Sequence, residues 1–223
     1  RLDESWRGLS LTMPLKRTVV PLLDEMSARA VQARAANTVV LEDGRRIGHN
    51  TDIAGAVAAL RSHTDAVPGS AVILGGGATA SSTLLALADL GCDDVTLVVR
   101  DPRRAQETLD AAARHPSAPT VHVRGFDEQA VPADILVSTI PARAQTERVV
   151  ALATGAPVVF DVLYDPWPTP LAEFARAEGR ILVSGLDLLV HQACGQFTLM
   201  TGIAEAPVDA IREAGERALA ERA

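Results

Sequence analysis

Between residues 71 and 90, an apolar run, three consecutive glycines and an alanine-rich stretch follow one another without interruption. Residues 71–74 predict a buried strand and residues 79–90 a helix. A glycine turn between them lets the backbone reverse sharply, so that free N–H groups at the helix start point towards an anion such as pyrophosphate. The pattern Gly75-x-Gly77-x-x-Ala80 fits the dinucleotide fingerprint, although glycine-rich strand ends also occur as plain tight turns. The candidate cofactor contacts are Gly75, Gly76, Gly77, Ala78 and Thr79.

Strands and helices alternate on the carboxyl side of this turn. The predicted strands cover residues 95–99, 120–123, 135–138, 158–162 and 181–183, and a helical stretch covers residues 102–114. Of the 223 residues, 48% are hydrophobic but only 3% are aromatic, a mixture suited to helices packed on a buried sheet. We therefore expect an α/β fold with a Rossmann-like, doubly wound parallel sheet.

The chain before residue 62 predicts a smaller α/β domain. A helix is expected over residues 18–36, a hairpin over residues 37–49 and a helix over residues 52–61. The polar, turn-rich residues 62–69 mark a boundary. The predicted units are residues 1–62 for substrate binding, 63–185 for the dinucleotide, and 186–223 as helices that pack back on the first domain.

Charge and composition exclude several classes of partner. The net charge is −7 and no run of Lys and Arg stands out, which argues against binding to nucleic acid or anionic membranes. No apolar stretch approaches the roughly 18 residues that a membrane span needs. Cys92 and Cys194 lack metal-binding or redox spacing, which is typical of a reducing compartment. We expect a cytoplasmic protein without a metal site.

The residues after the second strand of the parallel sheet bear on the choice of cofactor. An acid at this position binds a ribose 2′-hydroxyl, whereas an arginine accepts a 2′-phosphate. Arg100 and Arg104 favour NADP, because an arginine can contact phosphate with two hydrogen bonds. Asp101 lies between them and could favour NAD instead, and the arginines could also belong to a solvated helix start.

Four polar clusters interrupt apolar surroundings. They are residues 10–16, residues 36–38, residues 48–52, and Gln192 within residues 188–194. Each has a structural explanation on its own; for example, residues 50–52 would make a good helix N-cap, with the Asp52 carboxylate suited to the helix dipole.

Taken together with the glycine turn, these clusters resemble the shikimate dehydrogenase family. That family carries, in order, Asn-Val-Thr-x-Pro-x-Lys, Ala-x-Asn-Thr, Gly-x-Asn-Thr-Asp, Gly-Ala-Gly-Gly-Ala and Gly-Leu-x-Met-Leu-Val-x-Gln-Ala. Counterparts of all five occur here in the same order, and residues 161–171 look like the family segment before the last strand. The resemblance covers essentially the whole chain and implies a small hydroxylated carboxylic acid as substrate and NADP as cofactor, with NAD as the alternative.

The resemblance also implies roles for individual residues. Lys16 would be the acid/base at the reacting oxygen, and Asp52 its partner, which orients the ring through a neighbouring hydroxyl. Reducing a ketone needs both a proton donor and such a positioning group. Substrate hydroxyls and the carboxylate would be bound by Thr12, Asn37, Tyr164 and Gln192, while Thr139 and Gly185 would lie near the nicotinamide.

The sequence departs from the family pattern in several places. Ser10 stands where the family has asparagine, Ala78 where it has glycine, and Val99 where it has the asparagine before the phosphate-reading arginine. No counterpart of the family's first strand and its Ser-x-Ser carboxylate motif precedes Arg1, so we expect the substrate domain to be incomplete at its N-terminus.

Three functions remain open from the sequence. The resemblance implies NADP-dependent reduction of 3-dehydroshikimate to shikimate, a step of chorismate and aromatic amino-acid biosynthesis, with a homodimer as the expected assembly. A relative acting on quinate or aminoshikimate with NAD is the enzymatic alternative. A non-catalytic regulatory module that binds shikimate or nucleotide is the alternative of another class, since fold alone does not separate them.

Overall fold

Two β-sheets organise the chain in the computed structural model, which describes residues 5–129 and 131–222. The first sheet has the spatial order β1-β3-β4-β2, with β1 at Gly8–Ser10, β2 at Glu25–Met26, β3 at Thr38–Glu42 and β4 at Arg45–His49. Strands β3 and β4 form the predicted hairpin, in which Thr38 pairs with His49. Residues 1–4, 130 and 223 of the predicted units lie outside the described residues.

The second sheet has six parallel strands in the order β10-β9-β8-β5-β6-β7. They are β5 at Ser70–Leu74, β6 at Asp94–Val98, β7 at Thr120–Arg124, β8 at Ile135–Ser138, β9 at Val158–Asp161 and β10 at Ile181–Ser184. The strand order reverses between β5 and β8. In such sheets, ligands bind beyond the carboxyl ends of the strands at this reversal.

Helices pack on both faces of this second sheet, with α3, α4 and α5 in one buried cluster and α6 and α7 in the other. In chain order the helices are α1 at Leu15–Thr18, α2 at Ala28–Ala33, α3 at Asp52–Arg61, α4 at Ala78–Asp89, α5 at Gln106–Ala113, α6 at Glu147–Ala151, α7 at Pro170–Ala177, α8 at Gly185–Thr201 and α9 at Val208–Ala220. Along β5, Ala71 and Ile73 join one buried cluster while Val72 and Leu74 join another. The strand is therefore buried on both sides, and the expected doubly wound α/β class is confirmed.

Helix α8 connects the two sheets by returning to the first one. It packs along α3 and against β3, and α9 packs on α8. Gly55 permits the close crossing, because a Cβ there would lie 2.8 Å from Gln192 N. The C-terminal helices thus return to the first unit, as predicted.

The helix expected over residues 18–36 is wrong. The segment contains the end of α1, a 3₁₀ turn at Val20–Leu22, strand β2 and helix α2. Pro21 lies in the 3₁₀ turn and has no N–H to continue a helix. Ser27 then starts α2, accepting a hydrogen bond from Ala30 N at 3.3 Å. Apolar spacing alone did not reveal these breaks.

Among the residues that the structure describes, no helix is both long and apolar enough to cross a lipid bilayer.

Candidate active site

A cavity of about 540 Å³ lies between the two sheets and contains most of the predicted catalytic and substrate-binding side chains. From the first unit it is lined by Thr12, Lys16 and Asp52, and from the second by Tyr164. Gln192 reaches it from α8. Residues from four segments that are distant in sequence therefore share one cavity. Asn37, in contrast, is buried behind its wall.

Lys16 and Asp52 form an ion pair in this cavity. Lys16 Nζ donates to Asp52 Oδ2 at 2.7 Å, and the two side chains are only 15% and 6% exposed. Asp52 occupies the first turn of α3, where the helix dipole favours a carboxylate. Lys16 comes from the short helix α1. The pair presents an ammonium proton donor beside a fixed acceptor, the components that acid–base chemistry at a hydroxyl or ketone requires.

The side chain of Asn37 contacts the oxygen of Asp52 that Lys16 does not contact. Its Nδ2 carries two hydrogens and lies within hydrogen-bond distance of three acceptors, Asp52 Oδ1 at 2.9 Å, Thr51 Oγ1 at 2.8 Å and Gln192 Oε1 at 3.0 Å. Its Oδ1 accepts from Thr51 N at 2.8 Å. One buried amide thus joins the Asp52 carboxylate to Gln192, the predicted substrate ligand on α8. The substrate contact expected of Asn37 stays a prediction, and in the structure its side chain is buried.

A buried aspartate anchors the loop that carries Tyr164. Asp161, at the end of β9, accepts from Thr169 Oγ1 at 2.6 Å and from Gln145 Nε2 at 2.8 Å. Burial raises the pKa of Asp161, whereas these hydrogen bonds favour its charged form. The network joins the two ends of the segment between β9 and α7, and Tyr164 of this segment lines the cavity.

The glycine turn forms a separate trench of about 160 Å³ that is suited to a dinucleotide. A Cβ on Gly76 would lie 2.6 Å from Arg104 O, whereas one on Gly77 would meet nothing within 4 Å. No side chain caps the N-terminus of α4, which Ala78 begins. The backbone here is open to an anion, as a pyrophosphate site requires.

Thr139 lines both the trench and the large cavity, which places the predicted nicotinamide contacts where the two meet. Thr79 and Gly185 line the cavity side of this junction. An extended dinucleotide can therefore run from the glycine turn to the Lys16 side of the cavity.

The far end of the trench is cationic. Arg100 and Arg104 line it, and neither forms an ion pair with a carboxylate of the described residues. Asp101 is bound by Arg103, through Nε to Oδ1 at 3.0 Å and Nη2 to Oδ2 at 2.9 Å. These hydrogen bonds lower the pKa of Asp101. Both of its oxygens contact Arg103, whereas Arg100 and Arg104 supply positive charge along the trench.

Models of two known protein domains match parts of this chain. The model of the shikimate dehydrogenase substrate binding domain matches residues 1–39, and that of the shikimate 5′-dehydrogenase C-terminal domain matches residues 185–214. The NADP(+) shikimate dehydrogenase of Chlorobaculum tepidum is 34% identical, covering 92% of this chain and 75% of that protein. The chain belongs to the shikimate dehydrogenase family. The resemblance seen in the sequence is therefore confirmed.

Other members of the family differ in their cofactor. The NAD(+) quinate/shikimate dehydrogenase of Corynebacterium efficiens is 36% identical, covering 89% of this chain and 73% of that protein. The crystal structure of Mycobacterium tuberculosis shikimate dehydrogenase is 39% identical with a TM-score of 0.84, covering 99% of this chain and 80% of that chain. The Rossmann-like fold of this shikimate dehydrogenase family member is thus shared across its whole described length.

Sequence reasoning missed several residues of this family member's site. Arg143 and Phe126 line a further cavity of about 440 Å³ beside Arg100. Arg222 reaches the large cavity from beyond the end of α9. Arg143 follows β8 at the carboxyl edge of the parallel sheet, and that placement is the one signal that could have found it. Nothing in the sequence singles out Arg222.

A third cavity, of about 210 Å³, lies at the opposite edge of the parallel sheet. Its lining is mostly apolar, and its charged residues Arg61 and Asp134 are engaged with the backbone of residues 65–70. It carries no catalytic groups. Among residues 5–129 and 131–222, no cluster of metal-ligating side chains occurs either.

Proposed function

We propose that this protein is a shikimate dehydrogenase that reversibly reduces 3-dehydroshikimate to shikimate with NADPH, a step of chorismate and aromatic amino-acid biosynthesis. The observation that carries the proposal is the buried Lys16–Asp52 pair in a cavity that joins the glycine-turn trench at Thr139. Proton chemistry and a dinucleotide site thus meet at one point.

Thr139 and Gly185 would hold the nicotinamide of the cofactor, which would supply a hydride to the substrate carbon or accept one in the reverse direction. Lys16 donates the proton that the carbonyl oxygen takes up as the ketone becomes an alcohol, and it accepts that proton in the oxidation. Asp52 binds a neighbouring ring hydroxyl and stabilises the Lys16 ammonium. Because Asn37 fixes the Asp52 carboxylate, the pair is preorganised before substrate binds.

The other polar side chains of the cavity orient the ring. We assign Gln192, Tyr164 and Thr12 to the remaining substrate hydroxyls and carboxylate, since each lines the cavity. Gln192 Oε1 accepts from Asn37, which sets the direction of its amide. Leu188 and Leu189 line the same cavity and exclude water from the reacting centre.

The cofactor is assigned as NADP. The glycine turn, with Ala78 and Thr79, receives the pyrophosphate, and Thr139 and Gly185 lie at the nicotinamide end. Arg100 and Arg104 supply positive charge for a 2′-phosphate, while the pairing of Asp101 with Arg103 supports selection against NAD. NAD-dependent oxidation of quinate or shikimate is the second candidate, supported by the Corynebacterium relative.

The cellular compartment and the assembly complete the proposal. Cys92 and Cys194 are free thiols, which supports the cytoplasm as the compartment. The homodimer remains a prediction, and sedimentation velocity of the purified protein tests it.

The deciding experiment follows nicotinamide absorbance while the protein is offered shikimate or quinate with NADP⁺ or NAD⁺. We expect turnover with shikimate and NADP⁺ that is lost in Lys16→Ala. Turnover chiefly with quinate or NAD⁺ would move the protein to the second candidate. Binding of both ligands without turnover would identify a non-catalytic module instead.

A further inference from the structure

Arg17 links the first unit to the nucleotide-binding unit directly beside the catalytic lysine. Its Nη2 donates to Ser81 Oγ on α4 at 3.0 Å, and its guanidinium forms an ion pair with Glu107 on α5. Arg17 Nε is buried and has no hydrogen-bond partner in the structure. Consecutive helical positions point about 100° apart, so Lys16 can face Asp52 while Arg17 reaches across to α4.

The contacts of Ser81 continue to the glycine turn. Ser81 Oγ lies 3.0 Å from Thr108 Oγ1, and both side chains are fully buried. Thr108 Oγ1 lies within hydrogen-bond distance of Gly76 O, at 3.4 Å, and Ser81 Oγ lies at the same distance from Gly77 O. A continuous set of polar contacts therefore runs from the backbone that receives pyrophosphate to the guanidinium beside Lys16.

Apart from the Lys16–Asp52 ion pair, helix α1 has few other anchors. It has only four residues, and none of them is buried in the core. One backbone hydrogen bond, from Ala36 N to Lys16 O at 2.8 Å, ties it to the first sheet. The contact of Arg17 with α4 and α5 is therefore a main determinant of how α1 sits against the nucleotide-binding unit.

A second arginine bridges the same two units without touching the glycine turn. Arg29 on α2 forms an ion pair with Asp89, the last residue of α4. Asp89 lies eleven helical steps beyond Ala78, the first residue of α4, which corresponds to about 16 Å. Replacing Arg29 therefore removes a bridge between the two units without disturbing the glycine turn. It shows which effects come from losing any such bridge and which require contact with the turn.

We propose that Arg17 is a positioning residue that couples dinucleotide binding at the glycine turn to the placement of Lys16, so that cofactor and substrate bind cooperatively. The inference rests on the proposed function. A dinucleotide bound at the turn fixes the carbonyls of Gly76 and Gly77. The side chains of Ser81 and Thr108, which contact these carbonyls, are then fixed as well. Arg17 is then held in one arrangement, and α1 presents Lys16 to the substrate.

The test measures the dissociation constant of shikimate with and without saturating NADPH, a pair that cannot react. Calorimetry is run on the unaltered chain, Arg17→Ala, Ser81→Ala and the matched control Arg29→Ala. NADPH should tighten shikimate binding at least about fivefold in the unaltered chain and in Arg29→Ala. The factor should fall below about twofold in Arg17→Ala and in Ser81→Ala, and linkage requires the same factor for NADPH when shikimate is added first.

The outcomes separate the inference from the proposed function. Coupling retained in Arg17→Ala, or lost equally in Arg29→Ala, would overturn the role of Arg17. Ser81→Ala breaks the same contacts without altering α1, so it decides the question where Arg17→Ala fails to fold. Binding of both ligands to the unaltered chain without coupling overturns the inference alone. No shikimate binding at all overturns the proposed function and this inference with it.

Discussion

Replacing Gly55 by alanine tests whether the crossing of α3 and α8 sets the geometry of the active site. The new Cβ would lie 2.8 Å from Gln192 N, 2.9 Å from its Cβ and 3.0 Å from its Cα. Ordinary contact begins at 3.4 Å, so α3 and α8 must separate by at least 0.6 Å. Two of the three obstructing atoms are backbone, and no side-chain rotation relieves them.

The separation acts on both stability and catalysis. Overpacking of this kind lowers the free energy of unfolding by about 1–3 kcal/mol. Asp52 lies one turn before Gly55 on α3, and Gln192 is the obstructing residue on α8, so the bonds that both make with Asn37 are stretched. Misplacement of catalytic groups by about 1 Å can cost 100-fold, and we expect kcat/KM for shikimate to fall about 10- to 100-fold.

Urea unfolding and steady-state turnover measure the two effects. The matched control is Gly215→Ala on α9, whose Cβ would lie 2.9 Å from Leu186 Cδ1, the movable tip of a side chain. That variant should keep full activity and gain up to about 1 kcal/mol of stability from helix propensity. If Gly55→Ala matched the control in both assays, the helix crossing would not position the site.

Three further predictions concern cofactor choice, the buried amide and acid stability. Arg103→Ala frees Asp101, so the ratio of kcat/KM for NAD⁺ to that for NADP⁺ should rise; an unchanged ratio would show that the pairing plays no part in selection. Asn37→Ala leaves buried partners of Asn37 without a hydrogen bond. The free energy of unfolding should fall by about 1–3 kcal/mol for each partner left unpaired, and turnover should be lost. A variant with full stability and activity would contradict the network. Burial lowers the pKa values of His49, His115 and His191. The unfolded chain then binds more protons, so the melting temperature should fall as the pH drops through about 6.5, and a rise over that range would refute this assignment.

The nucleotide-binding unit could be predicted because its signals are local. Strand β5, the glycines and helix α4 are contiguous, and residues 71–74 are apolar since β5 is buried on both faces. The first unit was harder. Residues 18–36 have helical spacing, but Pro21 and the capping Ser27 break it into short elements.

The residues of the candidate site could be proposed from the sequence, but the contacts between their side chains could not. Motif order identified Lys16, Asp52 and Gln192. It could not show that Asn37 lies behind Asp52, that Arg103 engages Asp101, or that Arg17 reaches α4, because each of these contacts depends on how side chains are directed in the folded chain. Such pairings are tertiary, and a single sequence does not encode them in any local pattern.

The central claim, that Lys16 and Asp52 act as one catalytic unit in hydride transfer from shikimate to NADP⁺, is tested most directly by a double-mutant cycle. The measurement is kcat for NADPH formation by the unaltered chain, Lys16→Met, Asp52→Asn and the double variant. Each single change should lower kcat by about 10²- to 10⁴-fold, and the double variant should be no slower than the slower single one. Losses that multiply, or turnover near the unaltered rate without Lys16, would contradict the account.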